Sequence, residues 1–115
     1  MCKDYSNEVI ALIEDFKDRG FEWGKDLKLL CFQSNLSKTE MIQEILNHKN
    51  LYFTQKQDHD EEIRYTLYFV YNKSRCRFYV ITFRSKIRVI TVHVIGRRTL
   101  RRYFKKRFKK NGYLD

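Results

Sequence analysis

Ile63-Arg64-Tyr65-Thr66-Leu67-Tyr68-Phe69-Val70-Tyr71 is the stretch from which the fold can be read. Ile63, Tyr65, Leu67, Phe69 and Tyr71 alternate with Arg64, Thr66, Tyr68 and Val70, the period of two expected of a strand with one buried face. Downstream, Asn72-Lys73-Ser74 reads as a turn, and residues 75–83 and 86–95 are two further β-rich runs split by Arg84-Ser85. Upstream, residues 51–57 supply a fourth strand. Before His48 the period is near four. Ser6 is placed to cap a helix whose apolar positions are Val9, Ile10, Ile13 and Phe16, with Gly20 as its stop. Leu27, Leu29, Leu30 and Phe32 suggest a short second helix after a break at Phe21-Glu22-Trp23-Gly24. Ser37-Lys38-Thr39-Glu40 fits a capping box ahead of Met41, Ile42, Ile45 and Leu46. Beyond Gly96, residues 99–110 read as a closing helix with Leu100, Tyr103, Phe104 and Phe108 within about a 140° arc. The expected class is α+β: one or two N-terminal helices, a four-stranded antiparallel sheet and a basic C-terminal helix. Residues 1–115 form one domain, with 1–20 a helical extension and 21–110 the core.

Composition narrows the function. With 115 residues, 43% of them hydrophobic, the chain suits one ordinary core. Three cysteines without CxxC spacing argue against a disulfide framework and a structural zinc. No proline and four glycines exclude glycine-cradled phosphate loops and collagen-like repeats. No run of about 18 apolar residues and no signal-like start are present, so a soluble, cytoplasmic protein without a membrane partner is expected.

Charge is unevenly laid out. Residues 1–62 hold 8 Lys/Arg against 13 Asp/Glu, whereas residues 63–115 hold 16 Lys/Arg against Asp115 alone. Nine of those cations fall within residues 97–110. An anionic partner is the economical explanation, with RNA foremost. Strand alternation sends Arg64, Thr66 and Tyr68 away from the helices, and Arg77, Tyr79, Lys86 and Arg88 are expected on the same open face. Arginine forks there suit phosphate, and ring faces suit unpaired bases. Arg97, Arg98, Arg101, Arg102, Tyr103 and Lys105 extend the nucleic-acid-binding set.

The histidines are the cheapest acid/base candidates. His48 ends the capped helix and reads as its C-terminal charge partner; His93 sits in a strand beside Thr91 and Ile95. His59 lies in Asp58-His59-Asp60-Glu61-Glu62, where consecutive residues make a poor metal shell, so neither metal nor cofactor is expected. A metal-free ribonuclease needs cations around the scissile phosphate and one group to take the 2′-hydroxyl proton. Arg64 and Arg88 are the candidate phosphate clamp, and His93 or His59 the candidate proton acceptor. The alternative is a non-catalytic nucleic-acid-binding protein using the same surface. A third reading, carried by the basic helix, is a partner for an acidic protein or an anionic membrane.

Phe21-Glu22-Trp23, the acidic run leading to Glu62-Ile63-Arg64-Tyr65, Ile87-Arg88-Val89-Ile90-Thr91 and Arg97-Arg98-Thr99-Leu100-Arg101-Arg102-Tyr103 resemble, in order and spacing, the BrnT toxins. These are a branch of the RelE-like ribonucleases of toxin–antitoxin systems. The resemblance spans Phe21 to about Lys106. It implies a RelE-like fold, metal-free RNA cleavage, and a small BrnA-like antitoxin whose complex with the toxin binds operator DNA. The positions it carries over are Arg64, Arg88, Arg97, Arg98, Arg101, Arg102 and Tyr103. The chain departs from the family pattern at Gln33-Ser34-Asn35, where Lys-His-Gly is usual. It also departs at Thr91-Val92-His93, in place of Ser-Ala-Arg, and at Leu100, in place of glutamate.

Overall fold

The computed structural model of the chain describes residues 3–72 and 75–96. Helix α1 (Ser6–Phe16) runs into a 3-10 turn (Lys17–Arg19), followed by strand β1 (Phe21–Trp23) and helices α2 (Leu27–Ser34) and α3 (Lys38–Asn47). Strands β2 (Leu51–His59), β3 (Glu62–Asn72), β4 (Arg75–Phe83) and β5 (Ile87–Gly96) complete the described chain. The α+β class is as expected. The sheet is not: it has five strands in the order β1-β5-β4-β3-β2, and β1 lies parallel to β5. Three residues are too short to display a period of two, so β1 was legible only as an interruption. Ile87 N–H donates to Gly20 O at 3.1 Å and Gly24 N–H to Val89 O at 2.7 Å, fastening both ends of β1 to β5. Gly20, at φ 90°, makes the bend into β1 that a side chain would disfavour. The closing helix expected at 99–110 and the turn at 73–74 lie outside the described residues.

The helices cover one face of the sheet. Val9 and Ile13 of α1, Leu30 of α2, and Met41 and Ile45 of α3 are fully buried against Leu67, Phe69, Tyr79, Ile81, Ile87, Val89 and Val92. Each helix therefore contributes one apolar stripe, the arrangement its spacing requires. A second cluster, Phe53, Tyr68, Val70, Cys76 and Ile95, is buried on the opposite face. Burial pushes the Cys76 thiol up to about 12, so at neutral pH it remains protonated. Among the described residues, no helix is long and apolar enough to cross a membrane.

Local chemistry fixes the helix starts. Ser6 does not cap α1 as expected; the Asp4 carboxylate accepts from Ser6 N–H at 2.9 Å and from the Ser6 hydroxyl at 2.6 Å. The same oxygen accepts from Thr54 N–H at 3.1 Å, tying the helix start to β2. The capping box of α3 forms as read: Ser37 Oγ accepts from Glu40 N–H, and Glu40 Oε1 from Ser37 N–H, both at 3.1 Å. Ser37→Ala should cost about 1 kcal/mol. Urea titration would record it as a lower midpoint at unchanged slope.

Candidate functional site

Register, not alternation alone, determines which side chains share the outer face. Arg64 pairs with Thr82 and Thr82 with Arg88, so the two arginines flank Thr82 in one row across β3, β4 and β5. Two strand spacings put their Cα atoms about 10 Å apart. Neither arginine is bare. Arg64 Nε is 2.8 Å from Glu62 Oε2, and an Arg88 terminal nitrogen is 3.3 Å from Glu22 Oε2, Glu22 being its partner on β1. Thus carboxylates of residues 1–62 pair with arginines whose own segment holds no acid before Asp115.

His93 also lies on this face, through an irregularity that simple alternation misses. Val80 pairs with Thr91 and Ile81 with Val89, leaving Ile90 as an extra residue that shifts the phase of β5. His93 Nε2 is 3.2 Å from Thr91 Oγ1, and its ring centroid is 5.2 Å from that of Phe78. Five residues of strand separate it from Arg88, about 15 Å. A base at that distance cannot act on a phosphate held between Arg64 and Arg88, so the expected clamp and His93 do not form one site.

Arg77 and Tyr79 require a correction. They face the helices, because Phe69 pairs with Arg77 and Leu67 with Tyr79. The register shift between Val70 and Asn72 resets the phase across the hairpin, which the sequence alone does not reveal. Tyr79 is fully buried and donates its hydroxyl to Glu44 of α3; one Arg77 terminal nitrogen donates to both Glu44 oxygens, at 2.6 and 2.8 Å, and to Tyr71 Oη at 2.9 Å. Burial first, then this hydrogen bond, raises the Tyr79 pKa. Tyr68 is on the outer face as expected but 2% exposed, its hydroxyl donating to Gln55 at 3.0 Å. The ring faces foreseen for base stacking are therefore enclosed at Tyr68 and Tyr79. Lys86 is exposed in the connection between β4 and β5.

A different set converges at the end of the sheet. The β2–β3 hairpin turns through Asp60 and Glu61, with Asp60 at φ 59°, a conformation aspartate tolerates. An open groove of about 710 Å³ lies there, lined by His59, Glu62, Arg64, Thr82 and Arg84, with Phe16 of α1 at its wall. His59 and Glu62 are directly paired across the hairpin. Arg84 donates to Glu62 Oε1 from Nε at 3.1 Å and from a terminal nitrogen at 2.7 Å, while Arg64 holds the other oxygen. These bonds, Arg64 first and Arg84 second, hold the Glu62 carboxyl below its ordinary value of 4.5. His59 is more than half exposed, with Nδ1 3.6 Å from Asp60 Oδ2. Sequence reasoning placed Arg64 and His59 among the candidates but passed over Glu62 and Arg84. The signal for Glu62 was present: residues two apart on a strand share a face.

Among the described residues, no three His, Cys, Asp or Glu side chains converge as metal ligands. Residues 1–96 hold 15 Lys/Arg against 13 Asp/Glu, and residues 97–115 hold nine against one, so eight of the ten excess positive charges follow β5. Arg97, Arg98, Arg101, Arg102, Tyr103 and Lys105 belong to that part and lie outside the described residues.

Glu8 behaves as Glu62 does, its carboxyl lowered by Lys56 first and Tyr65 second. Carboxyls that titrate lower when folded stabilise the fold above their unfolded value near 4.5, and that contribution disappears as pH falls through the folded value. The unfolding temperature should therefore drop between pH 6 and pH 3. Glu8→Gln should flatten that slope in calorimetry.

Compared with family models, curated proteins and solved structures, the chain matches none.

Proposed function

We propose that the protein is a metal-independent endoribonuclease, of the kind that serves as the toxin of a toxin–antitoxin pair, acting at the groove beside the β2–β3 hairpin. The observation that carries this reading is the convergence of His59, Glu62, Arg64 and Arg84 on one open groove. Two guanidinium groups fit the non-bridging oxygens of a phosphodiester, and they are already oriented by a shared carboxylate. His59 supplies an imidazole able to give or take a proton. The cationic stretch after Gly96 supplies long-range attraction for a polyanion, which speeds encounter and is weakened by salt. A small acidic antitoxin fits the same charge.

The near balance of charge in residues 1–96 favours one competing reading, a nucleic-acid-binding protein without catalysis whose affinity resides after β5. Incubating the pure protein with mixed-sequence RNA in EDTA separates the two. The ribonuclease reading expects fragmentation that persists without metal. Retarded but intact RNA, released steeply as salt rises, would establish the binding protein instead.

A further inference from the structure

We infer that Glu62 and His59 divide the acid–base work of RNA cleavage, Glu62 taking the proton of the attacking 2′-hydroxyl and His59 giving one to the leaving 5′-oxygen. The inference rests on the ribonuclease reading and assigns roles within that site. Three observations carry it. Glu62 is the carboxylate to which both groove arginines are bonded, so a phosphate that engages Arg64 and Arg84 arrives beside it. His59 stands directly opposite Glu62 in the hairpin, at a spacing of about 5 Å between Cβ atoms. Glu62 is four-fifths buried and fixed by its arginines, whereas His59 is more than half exposed and free to follow the departing nucleotide.

The chemistry balances without a further reactant. The 2′-oxygen forms a bond to phosphorus as its proton passes to the Glu62 carboxylate. The phosphorus–5′-oxygen bond breaks in line, and the leaving oxygen takes the proton of the His59 imidazolium. The products are a 2′,3′-cyclic phosphate and a 5′-hydroxyl; Glu62 is left protonated and His59 neutral, and exchange with water restores both. A resting carboxylate held by two cations is a weak base. Turning the guanidinium groups onto phosphate relieves that compensation, so basicity rises when substrate is bound. The Asp60 carboxylate lies 3.6 Å from His59 Nδ1, where it can orient the ring so that Nε2 faces the leaving oxygen.

Leaving-group chemistry tests the division of labour. The cleavage site in an RNA oligonucleotide is first mapped, and a second copy is made with sulfur replacing the leaving 5′-oxygen there. Thiolate departs without a proton, so a missing donor no longer matters, whereas a missing acceptor still does. His59→Ala should slow cleavage of the oxygen RNA by about 100-fold or more and cleave the sulfur RNA within a few-fold of wild type. Glu62→Gln should be slow on both. Glu62→Asp, which keeps a carboxylate for Arg64 and Arg84, should remain folded by circular dichroism and be slowed on both RNAs alike. Wild-type cleavage with His59→Ala equally impaired on both RNAs, or with Glu62→Asp rescued by sulfur, would overturn the role assignment alone. Wild type inert on both RNAs would overturn the ribonuclease reading and the assignment together.

Discussion

Glu44→Ala should destabilise the protein by about 3–5 kcal/mol, the largest single effect the structure implies outside the apolar core. Glu44 and Arg77 expose 14% and 18% of their side chains, so the charge left behind would be largely removed from water. Arg77 is already incompletely satisfied, since its buried Nε has no hydrogen-bond partner among the described residues. Removing Glu44 also strands the Tyr79 hydroxyl in a fully buried position. Two groups of β4, the Arg77 guanidinium and the Tyr79 hydroxyl, thus depend on one carboxylate of α3. Replacing the pair together, as Glu44→Leu with Arg77→Met, removes charge and counter-charge at once and should recover the part of the loss due to the buried charge, the Tyr79 hydroxyl still lacking its acceptor. Urea unfolding of Glu44→Ala, Arg77→Met and the double variant measures this directly. A double variant no more stable than Glu44→Ala would refute the interpretation.

On the proposed ribonuclease reading, Arg64→Ala and Arg84→Ala should each lower RNA cleavage by about 10²–10³-fold, because charge accumulating on the phosphoryl oxygens loses a fixed donor. On that reading the effect should fall on turnover more than on RNA affinity, since nine Lys/Arg lie after Gly96, away from the groove in sequence. His93→Ala should leave cleavage within about two-fold, as the residue stands about 15 Å along β5 from the nearer arginine of the Arg64–Arg88 row. Arg88→Ala separates the groove from the wider face. If Arg88 matters as much as Arg64, the phosphate lies in the row with Thr82 and not at the hairpin end. Rates at saturating RNA, compared across these four variants, locate the reaction.

Much of the architecture was legible. The long alternation of β3 and the capping box of α3 are strong local signals, and both elements formed as read. What escaped was phase. Ile90 and the shift near Tyr71 each insert one residue into a ladder, and each insertion moves every later side chain to the other face. That is why Arg77 and Tyr79 went to the core while His93 joined Arg88. β1 escaped because three residues show no period, and its parallel pairing depends on a partner more than 60 residues away. At the site, Arg64 and His59 could be singled out by residue type. Glu62 was absorbed into an acidic run, and Arg84 into a turn. Their meeting depends on the hairpin bringing β4's end beside β3's start, a contact between positions 22 apart.

The most direct measurement uses two RNAs of one sequence, one with ordinary ribose and one with 2′-O-methyl groups throughout, each incubated with the pure protein in EDTA. The account predicts cleavage of the ordinary RNA alone, with 2′,3′-cyclic phosphate and 5′-hydroxyl ends identified by mass spectrometry. Cleavage of both RNAs, or of neither while both are bound, would contradict it.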